Sequence, residues 1–154
     1  MWCNCDACHR ARSAGGKNIR SRSGALVDDT LKLDLSPDTY MQALRDNLDL
    51  SRVTGLLITH AHSDHLAANE LGFHTPPFAH DNPALHVWGG ERAIEVVRAT
   101  TSRWPEQEAR LHVLTAFEPV HLADGTYVMP LEASHARDSS PLNFIIRRDG
   151  KTLF

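Results

Sequence analysis

The stretch T-H-A-H-S-D-H-L, residues 59–66, follows directly on the apolar run Gly55-Leu56-Leu57-Ile58 and places three histidines and an aspartate within six consecutive positions. In extended backbone, side chains alternate, so His60 and His62 point the same way and one imidazole nitrogen from each reaches a common metal ion at roughly 2.0–2.1 Å. Asp64 and His65 follow where the chain turns toward the helix that Leu66-Ala67-Ala68 suggests, so their side chains diverge and reach a neighbouring second ion. Two adjacent divalent cations lower the pKa of a bridging water, orient it, and stabilise charge building on a phosphoryl or carbonyl oxygen. Hydrolysis is the chemistry such a loop suits. A single histidine would be an ordinary surface residue, but H-x-H-x-D-H after a buried strand is a metal pattern.

Outward from this loop, residues 55–59 have the continuous apolar character of a strand covered on both faces. Upstream, residues 25–27 and 31–35 predict a hairpin whose second arm, L-K-L-D-L, alternates apolar and polar. Ser36-Pro37 supplies an N-cap and a first-turn proline, and Tyr40, Met41, Ala43, Leu44 and Leu48 recur at helical spacing, predicting a helix with one buried face. Downstream, the prolines of residues 73–83 predict a long loop near the histidines. A strand at 85–88 follows, then a helix opened by Gly89-Gly90 with Ala93, Ile94 and Val97 on one face. The rest turns to β, at 111–114, 120–123, 127–131 and 144–147, with turns at Asp124-Gly125 and Asp149-Gly150 and a return arm at 151–154.

A first ion held by His60 and His62 needs a third protein ligand. His135 is the best candidate, because it ends the strand of residues 127–134 and opens the polar loop 136–140, repeating the strand-end placement of His60. His74, His80 and His86 lie closer in sequence and, with His112 and His121, suit substrate contact, a lid or plain surface.

With 154 residues, 42% hydrophobic and 23% charged, the chain suits one compact domain. A net charge of -3 gives no general attraction to nucleic acid or to a membrane surface, and no apolar run approaches the length that spans a bilayer. The N-terminus has neither the basic nor the apolar region of a signal peptide, so a cytoplasmic location is expected. All three cysteines fall in the first eight residues. Cys3, Cys5 and Cys8 are spaced so that three thiolates converge on a tetrahedral zinc, which in a reducing compartment is favoured over a disulfide framework. His9 sits awkwardly for a fourth ligand beside Cys8, and the basic, glycine-containing residues 10–23 read as loop.

The H-x-H-x-D-H stretch resembles the signature of the metallo-β-lactamase superfamily, an α/β fold built as an αββα sandwich with the motif on a loop after a strand. The resemblance implies that His60 and His62 bind one metal and that Asp64 and His65 bind a second. It also implies that Asp64 orients or deprotonates the attacking water. Taken together, C-N-C-D-A-C-H-R-A-R, I-R-S-R-S-G-A-L-V and T-H-A-H-S-D-H-L look like the subgroup containing the cyclic phosphodiesterase of the carbon-phosphorus lyase pathway. That subgroup implies a cysteine-rich structural zinc insertion, here at residues 3–12, and hydrolysis of a phosphodiester, small cyclic phosphates included, by water activated on two zinc or manganese ions. A protein of pyrroloquinoline quinone biosynthesis has a similar cysteine cluster, but the intact H-x-H-x-D-H argues for hydrolysis. RNA-processing members are a further alternative. Arg10, Arg12, Arg20 and Arg22 would then face phosphates, yet such a loop is more often a solvated face, and no aromatic residues interleave with the arginines.

Against the family pattern, the chain begins at Met1-Trp2, whereas the family has a strand and glycine-rich loop before the cysteines. It ends at Phe154, before the bridging aspartate and the last histidine of the second metal. The expectation is a single partial domain over residues 1–154, mainly the N-terminal αβ half of the sandwich. The sheet face left open would favour aggregation or pairing, a homodimer included. A non-catalytic metal-binding fragment is the competing reading.

Overall fold

The structure, a computed structural model, describes residues 2–154. Strands β1 (Ala25–Val27), β2 (Leu31–Leu33), β3 (Gly55–Ile58), β4 (His86–Gly89) and β5 (Leu111–Val113) form the first sheet in that order. The β1–β2 hairpin is antiparallel, and β2 to β5 run parallel. The apolar run before the histidine motif is the centre of this sheet, and all four residues of β3 are buried. Leu56 and Ile58 point to a core shared with helix α3 (Glu91–Thr101), whose Ala93, Ile94 and Val97 are fully buried. Leu57 points the other way.

That opposite face packs on a second sheet of β6 (Val120–His121), β7 (Tyr127–Glu132), β8 (Leu142–Arg148) and β9 (Lys151–Leu153), antiparallel throughout. Leu31 and Leu57 meet Val128, Leu142, Phe144 and Ile146 in the inter-sheet core. Arg148 ties the sheets at one end, donating to Thr30 Oγ1 (3.1 Å) on one side and to Thr126 Oγ1 (2.7 Å) and Asp124 on the other. Helix, sheet and sheet give three layers of the expected αββα sandwich. Tyr127, Met129 and Ile145 on the outer face of the second sheet are only partly covered.

Three local expectations need correction. Residues 10–23 are not all loop: α1 (Asp6–Ala14) is a helix that starts at the cysteines and ends at Gly15, whose φ of 63° and N–H bond to the Ala11 carbonyl close it. It buries nothing, so no apolar period betrays it. Helix α2 (Thr39–Asp46) begins at Asp38 rather than Ser36, and it packs by its polar side. Its buried residues are Thr39 and Gln42, while Tyr40 and Leu44 are 71% and 67% exposed. The cause is a polar anchor: the Gln42 amide donates to Ser21 Oγ and the Arg22 carbonyl, and Arg22 pairs with Asp38 at 2.7 Å. Residues Ala68–His74 form 3-10 rather than α-helical turns. The alternating arm of β2 forms the expected hairpin with β1, and its polar Lys32 and the following Asp34 are both buried. The Lys32 ammonium donates to the carbonyls of Leu33 (3.0 Å) and Asp34 (2.6 Å), which makes its burial tolerable.

Candidate metal centre

His60 sits two residues past β3, at the carboxyl end of the parallel strands, where loops of such sheets gather function. A tight turn follows, in which the His65 and Leu66 N–H groups donate to the His62 carbonyl (2.9 and 2.8 Å). The turn lets the motif double back. Residue 35 then stitches its far end: the Leu35 N–H donates to the His65 carbonyl, and the Ala67 N–H to the Leu35 carbonyl. His135 comes from the β7–β8 loop of the other sheet. That loop is held against the motif by the Leu142 N–H bonding the Thr59 carbonyl (2.8 Å) and the Ala61 N–H bonding the Ser139 carbonyl (3.3 Å).

The outcome is a cluster of imidazoles. The His60, His62 and His135 rings lie 4.7–5.0 Å apart by centroid, and one donor atom from each falls within 4.8 Å of the others. His60, Asp64 and His65 form a second group with the same spacing, so His60 is common to both. His135 Nε2 faces His62 Nδ1 at 3.2 Å across 73 residues of sequence. Two ring nitrogens so placed need a proton or a cation between them.

The surrounding hydrogen bonds fix which nitrogens remain free. Asp34, 3% exposed and with φ at 55°, accepts from the Thr59 N–H (2.7 Å), from the Thr59 hydroxyl (3.0 Å) and from His65 Nδ1–H (2.6 Å). With its proton given to Asp34, Thr59 Oγ1 accepts from His60 Nδ1–H at 3.0 Å. Both imidazoles are therefore Nδ1–H tautomers whose Nε2 lone pairs are available to a metal, the carboxylate–histidine arrangement that orients metal ligands. Burial, then the neighbouring His65, His135 and His62, push the His60 pKa down and keep the ring neutral, as coordination requires. The donor set and its support fit a divalent ion. Asp64 is the open member, its side chain 58% exposed and 3.8 Å from His65 Nε2.

The three cysteine sulfurs also lie within 4.8 Å of one another. Cys5 caps α1 and Cys8 is in its first turn, where helix N–H groups favour thiolate. The Cys8 N–H, then the Cys3 and Cys8 thiols, lower the Cys5 pKa to about 7, while hydrogen bonds from Cys3 and Cys5 raise that of Cys8. Three sulfurs this close suit a zinc ion. His9 is not in it and lies 3.4 Å from Arg12 instead.

The other histidines do not join either group among the described residues. His86 and His112 pair at 3.0 Å and stack with Trp88 on β4 and β5, His74 is half-buried, and His80 and His121 are exposed. Sequence reasoning missed Asp34 and Thr59. The usable signal was an acid closing a strand that pairs with the motif strand.

The profile described as "Beta-lactamase superfamily domain" matches residues 31–154. The chain belongs to this family. Among solved structures it is similar to Zn(2+)-bound PqqB from Methylobacterium extorquens, with TM-score 0.68 at 15% identity over 98% of this chain and 58% of that one. A diphosphatase from the PhnP family gives 0.63 at 18% identity over 96% and 55%. Human tRNase Z, short form, gives 0.57 at 15% over 86% and 61%. At these identities the likeness establishes the mixed α/β, metallo-β-lactamase-like fold. The chain spans about 55% to 61% of the length of these three family structures. A search of curated proteins gave no match.

Proposed function

We propose that the histidine cluster is the metal centre of a hydrolase and that its substrate is a phosphodiester, with a small cyclic one suiting the cysteine-cluster subgroup best. The supporting observation is the convergence of His60, His62 and His135, drawn from two sheets onto one point. These three would hold one divalent ion, zinc or manganese, and Asp64 and His65 would contribute to a second. Bound there, the ions would lower the pKa of water and offset charge on the phosphoryl oxygens. Asp34 and Thr59 keep the His65 and His60 rings in the coordinating tautomer. The exposed Asp64 carboxylate would orient the attacking water and accept its proton. Cys3, Cys5 and Cys8 would hold a separate structural zinc.

The test pairs metal analysis with hydrolysis of bis(4-nitrophenyl) phosphate by the longest native polypeptide. Bound metal and turnover abolished by His60→Ala are expected, and an unchanged rate in that variant contradicts the assignment. One observation favours a non-catalytic metal-binding module instead. Among the described residues, the second group has only Asp64 and His65 beyond the shared His60. Metal binding and stabilisation without turnover in the longest polypeptide would decide for that module.

A further inference from the structure

Between α2, the first sheet and the 3-10 turns of Ala68–His74 lies a cavity of about 370 Å3 that none of the clustered histidines lines. Its wall is mostly apolar and includes the buried Leu56, Leu71 and Leu85 and the exposed rings of Tyr40 and Phe73. The same wall carries all three buried side-chain polar atoms that have no hydrogen-bond partner among the described residues: Ser36 Oγ, Thr39 Oγ1 and His74 Nε2. Ser36 is fully buried and Thr39 is 7% exposed. Buried polar groups are ordinarily satisfied, so three orphans on residues that line one space single it out.

We propose that this cavity is a binding site for an uncharged, largely apolar small molecule carrying one hydroxyl or carbonyl oxygen. A mainly apolar enclosure with a few polar groups that fix orientation is the usual form of a small-molecule site, and its volume lies in the usual range. The orphan groups are two hydroxyls and an imidazole nitrogen, all neutral, so they offer hydrogen bonds rather than charge. The two hydroxyl oxygens are inaccessible in this structure, and a change of one side-chain torsion would turn each toward the cavity. Lys32, the cation at the edge of the wall, already gives two N–H bonds to backbone carbonyls, and Glu70 on the same wall disfavours an anion. The helix above is held by its polar side, which leaves the apolar side free to admit a guest.

The probes are benzyl alcohol, toluene and benzoate, titrated into the isotopically labelled chain and followed by amide resonances. Benzyl alcohol is expected to shift the resonances of Ser36, Thr39, Leu71 and His74 and to bind more tightly than toluene or benzoate. Ser36→Ala and Thr39→Val should weaken benzyl alcohol roughly threefold to tenfold and leave toluene unchanged. Because each removes an orphaned hydroxyl, the free variants should unfold at the same or a higher denaturant concentration than the parent. The proposal is overturned if the three probes bind equally, if benzoate binds best, if no shift falls at the cavity, or if the variants lose stability without losing selectivity for benzyl alcohol.

Discussion

Asp34 is the residue on which the geometry of the motif turns. One buried carboxylate receives three donors, and through Thr59 its influence reaches a second imidazole, so the two rings cannot choose their tautomers independently. Replacing Asp34 by Asn keeps the shape but offers an N–H where an acceptor is needed. Zinc affinity, measured by competition with a chromophoric chelator, should fall about 10- to 100-fold. An unchanged affinity would remove Asp34 from the account. A different consequence concerns acid. Burial lowers the pKa of His74 and of His112 from the ordinary value of 6.5, with Arg110 adding to it for His74 and His86 for His112. The unfolded chain then binds more protons just below that value, so this stability is complete above about pH 6.5 and is lost as pH falls through the lowered folded values. The urea midpoint of metal-free chain should therefore drop between about pH 7.5 and about pH 5.5, and His74→Leu should flatten part of that drop.

At the scale of elements, the strands were legible where burial writes a plain pattern. The run Gly55–Ile58 has the pattern of a strand covered on both faces, and Ala93, Ile94 and Val97 mark the inner side of α3. The convergence of His135 on the motif could also be anticipated from its strand-end setting. Where hydrogen bonding rather than apolar burial fixes an element, the pattern misled. Gln42, reaching Ser21 and Arg22, turns α2 against its own apolar periodicity. Lys32 and Asp34 alternate with leucines yet are kept from water, the ammonium by neighbouring backbone carbonyls and the carboxylate by donors from the motif loop. The β7–β8 loop has a comparable hidden constraint. A methyl group at Gly90 would sit 2.3 Å from the Ser140 carbonyl oxygen, in backbone that also positions His135. Gly90→Ala should cost about 1–3 kcal/mol of stability and weaken zinc binding, read by denaturant titration and by the chelator assay. Unaltered zinc binding in that variant would show that the loop has another seat.

For the whole molecule, the cluster joins the two sheets. His60, His62 and His65 come from the exit of β3, His135 comes from the β7–β8 loop, and the inter-sheet core of Leu57, Val128 and Phe144 lies behind them. A metal held there would clamp one sheet to the other, and its binding would stabilise the fold by an amount that grows with the logarithm of free metal concentration above Kd. The most direct test is diffraction from zinc-soaked crystals at the zinc absorption edge. The account predicts an anomalous peak roughly 2.0–2.1 Å from one nitrogen each of His60, His62 and His135. An empty space between those rings, with His135 turned to solvent, would contradict it.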